Sequence, residues 1–451
     1  MPTLAQAEPA IPDTPAGRIF SAWLAVINSG DIEQIRAFTS QHENNEEFVQ
    51  RRLWTHRATG GLKLLRIEKS EPMTVIAYAR DANTENPNKI VLTLQSTEPP
   101  KLDKVVLDPD VIPADLRPPK LSESEAIASL SAKMESLANA DAFSGAILFT
   151  RHGKILFEKA YGFANRELRT PATVQNQFMV GSITKMFTAV AMLRLIEAGK
   201  ASLEDTVGKY LPEFADETIR TKVTIRQLLT HTGGTGDMFS EEQLARRDSL
   251  REHRDYVAFF EKRPPAFEPG SKYEYSNFGY ILLGRLIEII SGMSYYDFID
   301  KEVFSPAGMQ ASDSLPESPP VATRAIGYMN YEGRLEPNAR FLTYRGMAAG
   351  NAYSTVGDLW KFATALRDGR LISLSMLKKA TTPHADSYGY GFGILGEGSL
   401  LRYGHNGGFP GVNSDMRIYP HSGYVLICLS NFDPFTAELP IKYFESRMPL
   451  N

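Results

Sequence analysis

Between Leu107 and Glu125 the chain reads LDPDVIPADLRPPKLSESE, with Pro109, Pro113, Pro118 and Pro119 and no periodic apolar face. Proline punctuates local structure, and a stretch this rich in it predicts a linker. The linker divides 451 residues, too many for one ordinary hydrophobic core, into a small unit and a large one. The layout expected is a flexible tail or signal remnant over residues 1–13, a small α+β domain over 14–118 and a larger domain over 119–451. Within the larger domain, a helical insertion is expected at about 205–340, where helices, prolines and loops crowd together.

Ahead of the linker, Phe20, Trp23, Leu24 and Ile27, then Ile32, Ile35 and Phe38, recur at helical spacing. NSGD, Asn28 to Asp31, interrupts them: Gly30 ends one helix and Asp31 can cap the next. The segments LKLLRIEKS, MTVIAYAR, KIVLTLQS and KLDKVVLDP alternate instead and predict strands of a meander. Two helices followed by a curved antiparallel sheet resembles the ketosteroid-isomerase-like α+β cone. No catalytic pair stands out in this unit, and His42 and His56 read as surface or capping residues. At the extreme N-terminus, Ala5-Gln6-Ala7 has the small-x-small pattern of a signal-peptidase site, without the charged and apolar regions that precede one. It reads either as a flexible tail or as the remnant of an export signal. The second reading implies a periplasmic or secreted protein, the first a cytoplasmic one.

Behind the linker, a helix is expected over Glu123 to Ala138. SGAILFTRHGKILFEKAYG then reads as a hairpin turning at Arg151 to Lys154. GSITKMFTAVAMLRLIEAGK is a strong helix closed by Gly199, and the segments around LLRYGHNGG, VNSDMRIYP and SGYVLICLS return to strands. Strands at both ends with helices between predict an α+β unit, its antiparallel sheet built from both termini. Several function classes drop out. A net charge of -4 argues against nucleic acid as a partner. No apolar run approaches the ~18 residues of a membrane span; the richest, Ala189 to Ile196, is broken by Arg194. The single cysteine, Cys428, can form neither an internal disulfide nor a zinc cluster and reads as a buried thiol in a strand. No metal and no cofactor is expected.

Ser182 and Lys185, in GSITK, carry the most chemistry. Ser182 could simply cap the helix, but a capping box would then place Glu or Gln where Lys185 stands. A cation in the first turn faces the positive end of the helix dipole, unfavourable by about 0.3–1 kcal/mol when exposed. A catalytic base would exploit that position. Dipole and burial both disfavour the ammonium form, and residues i and i+3 share a face, so the amine can reach the hydroxyl it must activate. A second helix start, in PGSKYEYSNFGYILLG, places the Tyr275 phenol and the Asn277 carboxamide together, next to the potential cap Ser276. A third stretch, YGHNGGFPG, ends a strand with His405, Asn406, Gly407 and Gly408. It is either a glycine turn with a surface histidine or a strand edge open to a ligand, where the Gly408 N–H could pair with that of Ser182 as an oxyanion hole.

Ser-x-x-Lys, then Tyr-x-Asn, then a basic-x-Gly strand, in this order, resembles the serine β-lactamase and penicillin-binding-protein family. The Tyr-x-Asn form is similar to its class C branch, with class C β-lactamases, D-peptidases and related carboxylesterases. VTIRQLLTHTGG, STVGDLWKFATAL and GHNGGFPG are similar to the wider family too, and the resemblance covers about residues 123 to 450. It implies the serine β-lactamase/DD-peptidase fold, an antiparallel sheet flanked by helices with an inserted helical lobe. It also implies Ser182 as acylated nucleophile, Lys185 and Tyr275 as its base network, and Asn277, His405, Asn406, Gly407 and Gly408 as substrate-binding, with His231 holding a loop. Where β-lactamases carry a lysine and a threonine on the strand, this chain has His405 and Asn406. His405, with a reference pKa near ~6.5, is mostly neutral at pH 7. The expectation is therefore a metal-free serine hydrolase acting on a small-molecule or peptide ester or amide. It would be an esterase or D-peptidase-like amidohydrolase with weak or no β-lactamase activity. The rival is a non-catalytic binder of peptides or peptidoglycan fragments on the same fold. Oligomeric state is not legible.

Overall fold

The computed structural model describes residues 9–43, 47–331 and 334–449. Ala5-Gln6-Ala7 lies outside them. Contacts group the chain into two compact units, one running to Lys133 and joined by Lys442–Pro449, the other Met134–Ile441. Among the described residues, no helix is long and apolar enough to cross a membrane.

The first unit opens with α1 (Pro15–Ser29), where the Thr14 hydroxyl accepts the Gly17 N–H at 2.9 Å and Pro15 supplies the preset first turn. Gly30, at φ 62°, ends it. A Cβ there would lie 2.4 Å from the His56 ring, so glycine is required for space as well as conformation. Asp31 caps α2 (Ile32–His42) through the Gln34 N–H. A third helix, α3 (Glu47–Thr59), was not expected from sequence; its inward residues are Val49, Arg52 and Thr59, which make no apolar stripe. Strands β1 (Leu62–Ser70), β2 (Thr74–Asp81), β3 (Pro87–Thr97) and β4 (Pro100–Asp108) form an antiparallel meander in sequential order. Phe20, Trp23 and Ile27 pack with Val75, Ala77, Ile90 and Leu92 in its core. Of the two histidines, His56 donates from Nδ1 to the Ile27 carbonyl at 2.7 Å, a cap on the end of α1. His42 corrects the surface reading: it is buried, its ring 4.8 Å from that of Phe38.

A helix, α4 (Glu123–Asn139), leads to the sheet of the second unit. That sheet contains β5 (Gly145–Arg151), β6 (Lys154–Tyr161), β7 (Gly393–Leu395), β8 (Arg402–Phe409), β9 (Val412–Ile418) and β10 (Tyr424–Ser430). Its order is β7-β8-β9-β10-β5-β6, every pair antiparallel. The β10–β5 pairing joins the two ends of the unit. Between them run α5 (Thr184–Glu197), α6 (Asn277–Ser291) and α7 (Val356–Arg367), with shorter helices in the lobe. From Thr184 to Leu193 every residue of α5 is buried, as a helix surrounded on all sides requires. Cys428 is a buried free thiol in β10.

Candidate active site

Three glycines bring the turn before α5 against β8. Gly181 has φ +50°, and a Cβ on it would stand 3.0 Å from the Gly407 Cα and 3.1 Å from the Gly408 nitrogen. A Cβ on Gly407 would meet the Val180 carbonyl at 2.3 Å and the Ser182 nitrogen at 2.8 Å. Only hydrogens fit between the two backbones, and the Gly408 amide therefore lies against the Ser182 turn. The turn is anchored on both sides. Val180 donates its N–H to the Ala352 carbonyl at 2.8 Å and accepts from the Ser414 hydroxyl at 2.7 Å. The Gly181 carbonyl accepts from the Thr184 hydroxyl at 2.8 Å and the Asn351 N–H at 3.1 Å.

Ser182 does not cap its helix; no side chain does. Its hydroxyl faces Lys185 instead. The Lys185 Nζ, fully buried, lies 3.1 Å from Ser182 Oγ, 2.7 Å from Asn277 Oδ1 and 2.5 Å from the Ala349 carbonyl. Burial brings its pKa down to about 7, with Asp237 opposing the shift. The amine form is therefore abundant at neutral pH. A neutral amine has two N–H donors and one lone pair, and two of its three neighbours are carbonyl oxygens that only accept. Both donors are thus taken, and the lone pair is left for the Ser182 O–H.

Asn277 is held from its other side, where its Nδ2 donates to Asp237 at 3.0 and 3.3 Å. Asp237 is the member of the site that sequence reasoning missed. It follows the glycine-rich turn after His231, but no spacing ties it to Asn277. Ser276 caps α6 through the Gly279 N–H. Tyr275 is buried. Desolvation pushes its phenol well above the usual tyrosine value, partly offset by the Ser182 hydroxyl. The His231 ring lies 4.3 Å from that of Tyr275, centroid to centroid. Its Nδ1 accepts the Ser276 N–H at 3.1 Å and its carbonyl the Glu274 N–H at 3.0 Å. His231 thereby holds the Tyr275 turn, as its expected structural role requires.

The structure places the β8 residues differently from one another. The cleft at Ser182 has a volume of about 180 Å³ and is lined by Tyr275, Asn277, Gly408 and an apolar rim that includes Met238, Phe239 and Phe409. His405, Asn406 and Gly407 do not line it. Gly407 is taken up by its contact with the turn, and Asn406 is exposed. His405 Nδ1 faces the Asn406 carbonyl at 2.5 Å, and its Nε2 faces the Tyr388 hydroxyl at 2.9 Å. The carbonyl can only accept, which assigns the proton to Nδ1 and makes Nε2 the acceptor of the Tyr388 O–H. Burial, and secondarily the Lys185 charge, lower the His405 pKa to about 3, against the Asn406 carbonyl. His405, its ring 6.2 Å from that of Tyr275, is thus held toward its neutral form. Among the described residues, no lining side chain of the cleft is charged. Among the described residues, no three His, Cys, Asp or Glu side chains gather in a metal-binding cluster.

A family model described as Beta-lactamase matches residues 130–444. Penicillin-binding protein 4* of Bacillus subtilis is 32% identical over 327 residues, 67% of this chain and 71% of that protein. Teichoic acid D-alanine hydrolase of Staphylococcus aureus is 27% identical over 307 residues, 66% and 73% of the two chains. The solved structure of a penicillin-binding protein from Bacillus halodurans superposes with a TM-score of 0.64 at 31% identity, covering 69% of this chain and 98% of that one.

Proposed function

Since the chain belongs to the beta-lactamase family, we propose that it is a serine hydrolase working through an acyl-enzyme on Ser182. Its substrates are esters or amides with uncharged acyl groups, as for an esterase or a D-peptidase-like amidohydrolase, and β-lactam turnover is weak or nil. The observation that carries the reading is the buried Lys185 amine, 3.1 Å from Ser182 Oγ, with its two donors occupied elsewhere.

Ser182 Oγ attacks the substrate carbonyl carbon, and its proton passes to the Lys185 lone pair. The carbonyl electrons move onto oxygen, which the Ser182 and Gly408 N–H groups stabilise. The intermediate collapses by breaking the bond to the leaving group. That group takes a proton from Tyr275, which regains one from Lys185. Water then attacks the acyl-enzyme, gives its proton to the same network and releases the acid with Ser182 restored. The substrate preference rests on electrostatics: a carboxylate entering a cleft without a cation loses hydration and gains no partner.

Intact-protein mass spectrometry with a fluorophosphonate should show one adduct, mapping to Ser182. Correctly folded protein left unlabelled refutes the mechanism. A side-by-side screen of p-nitrophenyl esters, D-amino-acid amides and a chromogenic cephalosporin tests the substrate preference, with turnover of the esters or amides and little of the cephalosporin expected.

A further inference from the structure

The second unit holds another cavity, of about 490 Å³, that shares no lining residue with the cleft at Ser182. That volume is typical of small-molecule sites. Its floor is one face of the sheet. Ile394, Tyr403, Ile418 and Val425 stand opposite one another on β7, β8, β9 and β10, and all four line it. Directly paired residues share a face, so they make a continuous, mostly apolar stripe. The wall comes from Arg367, at the end of α7, and from Leu374, Leu377 and Lys378 of α8 (Leu374–Ala380).

Three observations distinguish this cavity from a packing defect. Tyr403 is buried and lines it, yet its hydroxyl has no hydrogen-bond partner among the described residues. Burial pushes that phenol up to about 12, and the Arg367 guanidinium opposes the shift. That hydroxyl opens into the cavity, where it is free to donate to a ligand. Next, among the described residues every charged lining side chain is basic: Arg367, Lys378 and Arg402 line the cavity and no Asp or Glu does. Lys378 makes no ion pair among the described residues, and Arg367 reaches an acid, Asp368, only at 3.9 Å. Finally, Leu374, which lines the cavity, is 60% exposed. It extends the apolar stripe to the edge of the cavity.

We propose that this cavity binds a single-chain amphiphile with an anionic headgroup. The chain lies along the Ile394–Tyr403–Ile418–Val425 stripe and the headgroup meets Arg367, Lys378 and the Tyr403 hydroxyl. A neutral apolar ligand leaves the cations and the phenol unanswered, and a bare anion leaves the apolar stripe so. The cavity begins at Tyr403, about 17 Å along β8 from Gly408 at the usual strand rise, and the proposal rests on none of the chemistry at Ser182.

The test titrates the full chain by calorimetry with n-alkyl carboxylates of increasing length, kept below micellar concentration. n-Alkyl phosphates and n-alkanols are run in parallel. Each added methylene should tighten carboxylate binding about threefold to fourfold until the cavity is filled, and the matching alkanol should bind about tenfold more weakly. Binding of carboxylates alone identifies a carboxylate headgroup, and binding of both anions means that charge alone is read; either result supports the site. K378E and L374E change exposed positions and should weaken binding about tenfold with the fold intact. A diazirine-bearing alkyl carboxylate locates the ligand independently of any variant, with crosslinks expected within residues 374–382 or 401–403. Alkanols binding as tightly as the anions, crosslinks confined to the Ser182 cleft, or no saturable binding at all overturns the proposal.

Discussion

Replacing Asp237 by Asn removes one negative charge while leaving an oxygen to accept the Asn277 Nδ2 donor. The change therefore isolates the effect of that charge on Lys185. The path from Nζ to the carboxylate runs through 2.7 Å to Asn277 Oδ1, across the amide, and 3.0 Å from Nδ2 to Asp237. The two charges are then on the order of 7 Å apart, which gives about 2.4 kcal/mol at an effective dielectric of 20 and about 0.6 kcal/mol in bulk water. Divided by 1.36 kcal/mol per unit, the Lys185 pKa should fall by between about 0.4 and 1.7 units. The sign follows from the role: Asp237 stabilises the ammonium and raises the pKa, so its loss lowers it. Lys185 works as a base only when neutral, so wild-type kcat/KM on a neutral ester should drop as pH falls through about 7. In D237N that acid limb should move to lower pH by about one unit. The assay is kcat/KM for a p-nitrophenyl ester across the acid range, followed at the isosbestic wavelength of the product. An acid limb that stays in place, or moves to higher pH, refutes the assignment of Lys185 as the base under Asp237.

Lys185 also leaves a mark on stability. Its folded pKa of about 7 lies below the ordinary lysine value of 10.5, so the unfolded chain binds more protons between those values. The stability of wild type relative to K185M should therefore rise with pH across that window, by about 1.4 kcal/mol per unit where the gap is fully open; parallel urea midpoints at every pH would contradict the buried amine. G407A puts a methyl group 2.3 Å from the Val180 carbonyl and 2.8 Å from the Ser182 nitrogen, and should cut kcat on the order of a hundredfold through misalignment. Unchanged turnover in a folded variant would show that the close approach is dispensable. Because His405 is neutral and engaged on both ring nitrogens, anionic and neutral esters should give pH profiles of the same shape. An additional limb between pH 6 and 7, seen only with anionic esters, would restore His405 as a carboxylate contact.

The parts of this molecule that were legible in its sequence are those fixed by local geometry. Lys185 reaches Ser182 because i and i+3 share a helical face. Tyr275 and Asn277 travel together because Ser276 starts a helix between them. The sheet was legible because alternation and the hairpin at Arg151 to Lys154 set strand order at one end, and three strand-like segments closed the other. What escaped depends on contacts between distant segments. Helix α3 turns Arg52 inward against Glu43 and the Phe38 ring, so a polar side chain occupies the place where an apolar stripe is sought. Asp237 matters only because its loop meets Asn277. The half-buried placement of His405 and its bond to Tyr388 could not be read from HNGG. Of the two glycines of that motif, Gly408 was singled out for its N–H and lines the cleft, whereas the contact of Gly407 with protein backbone was not legible.

One physical cause divides the labour between the two titratable groups at Ser182. Burial penalises whichever form carries charge. For Lys185 that form is the protonated one, so desolvation brings the pKa down to about 7 and frees a base. For Tyr275 it is the deprotonated one, so the same dry surroundings push the phenol well above its ordinary value and keep its proton in place. A phenol held that way cannot be the resting base, which assigns proton abstraction to Lys185 and proton delivery to Tyr275 in the proposed cycle. The neutral His405 near the tyrosine serves the same end. A cation there would stabilise a phenolate, and its absence keeps the two pKa values apart. A lysine placed at position 405 should thus do more than attract carboxylates. It would lower the Tyr275 pKa toward that of Lys185 and blur the separation of acid from base on which the cycle depends.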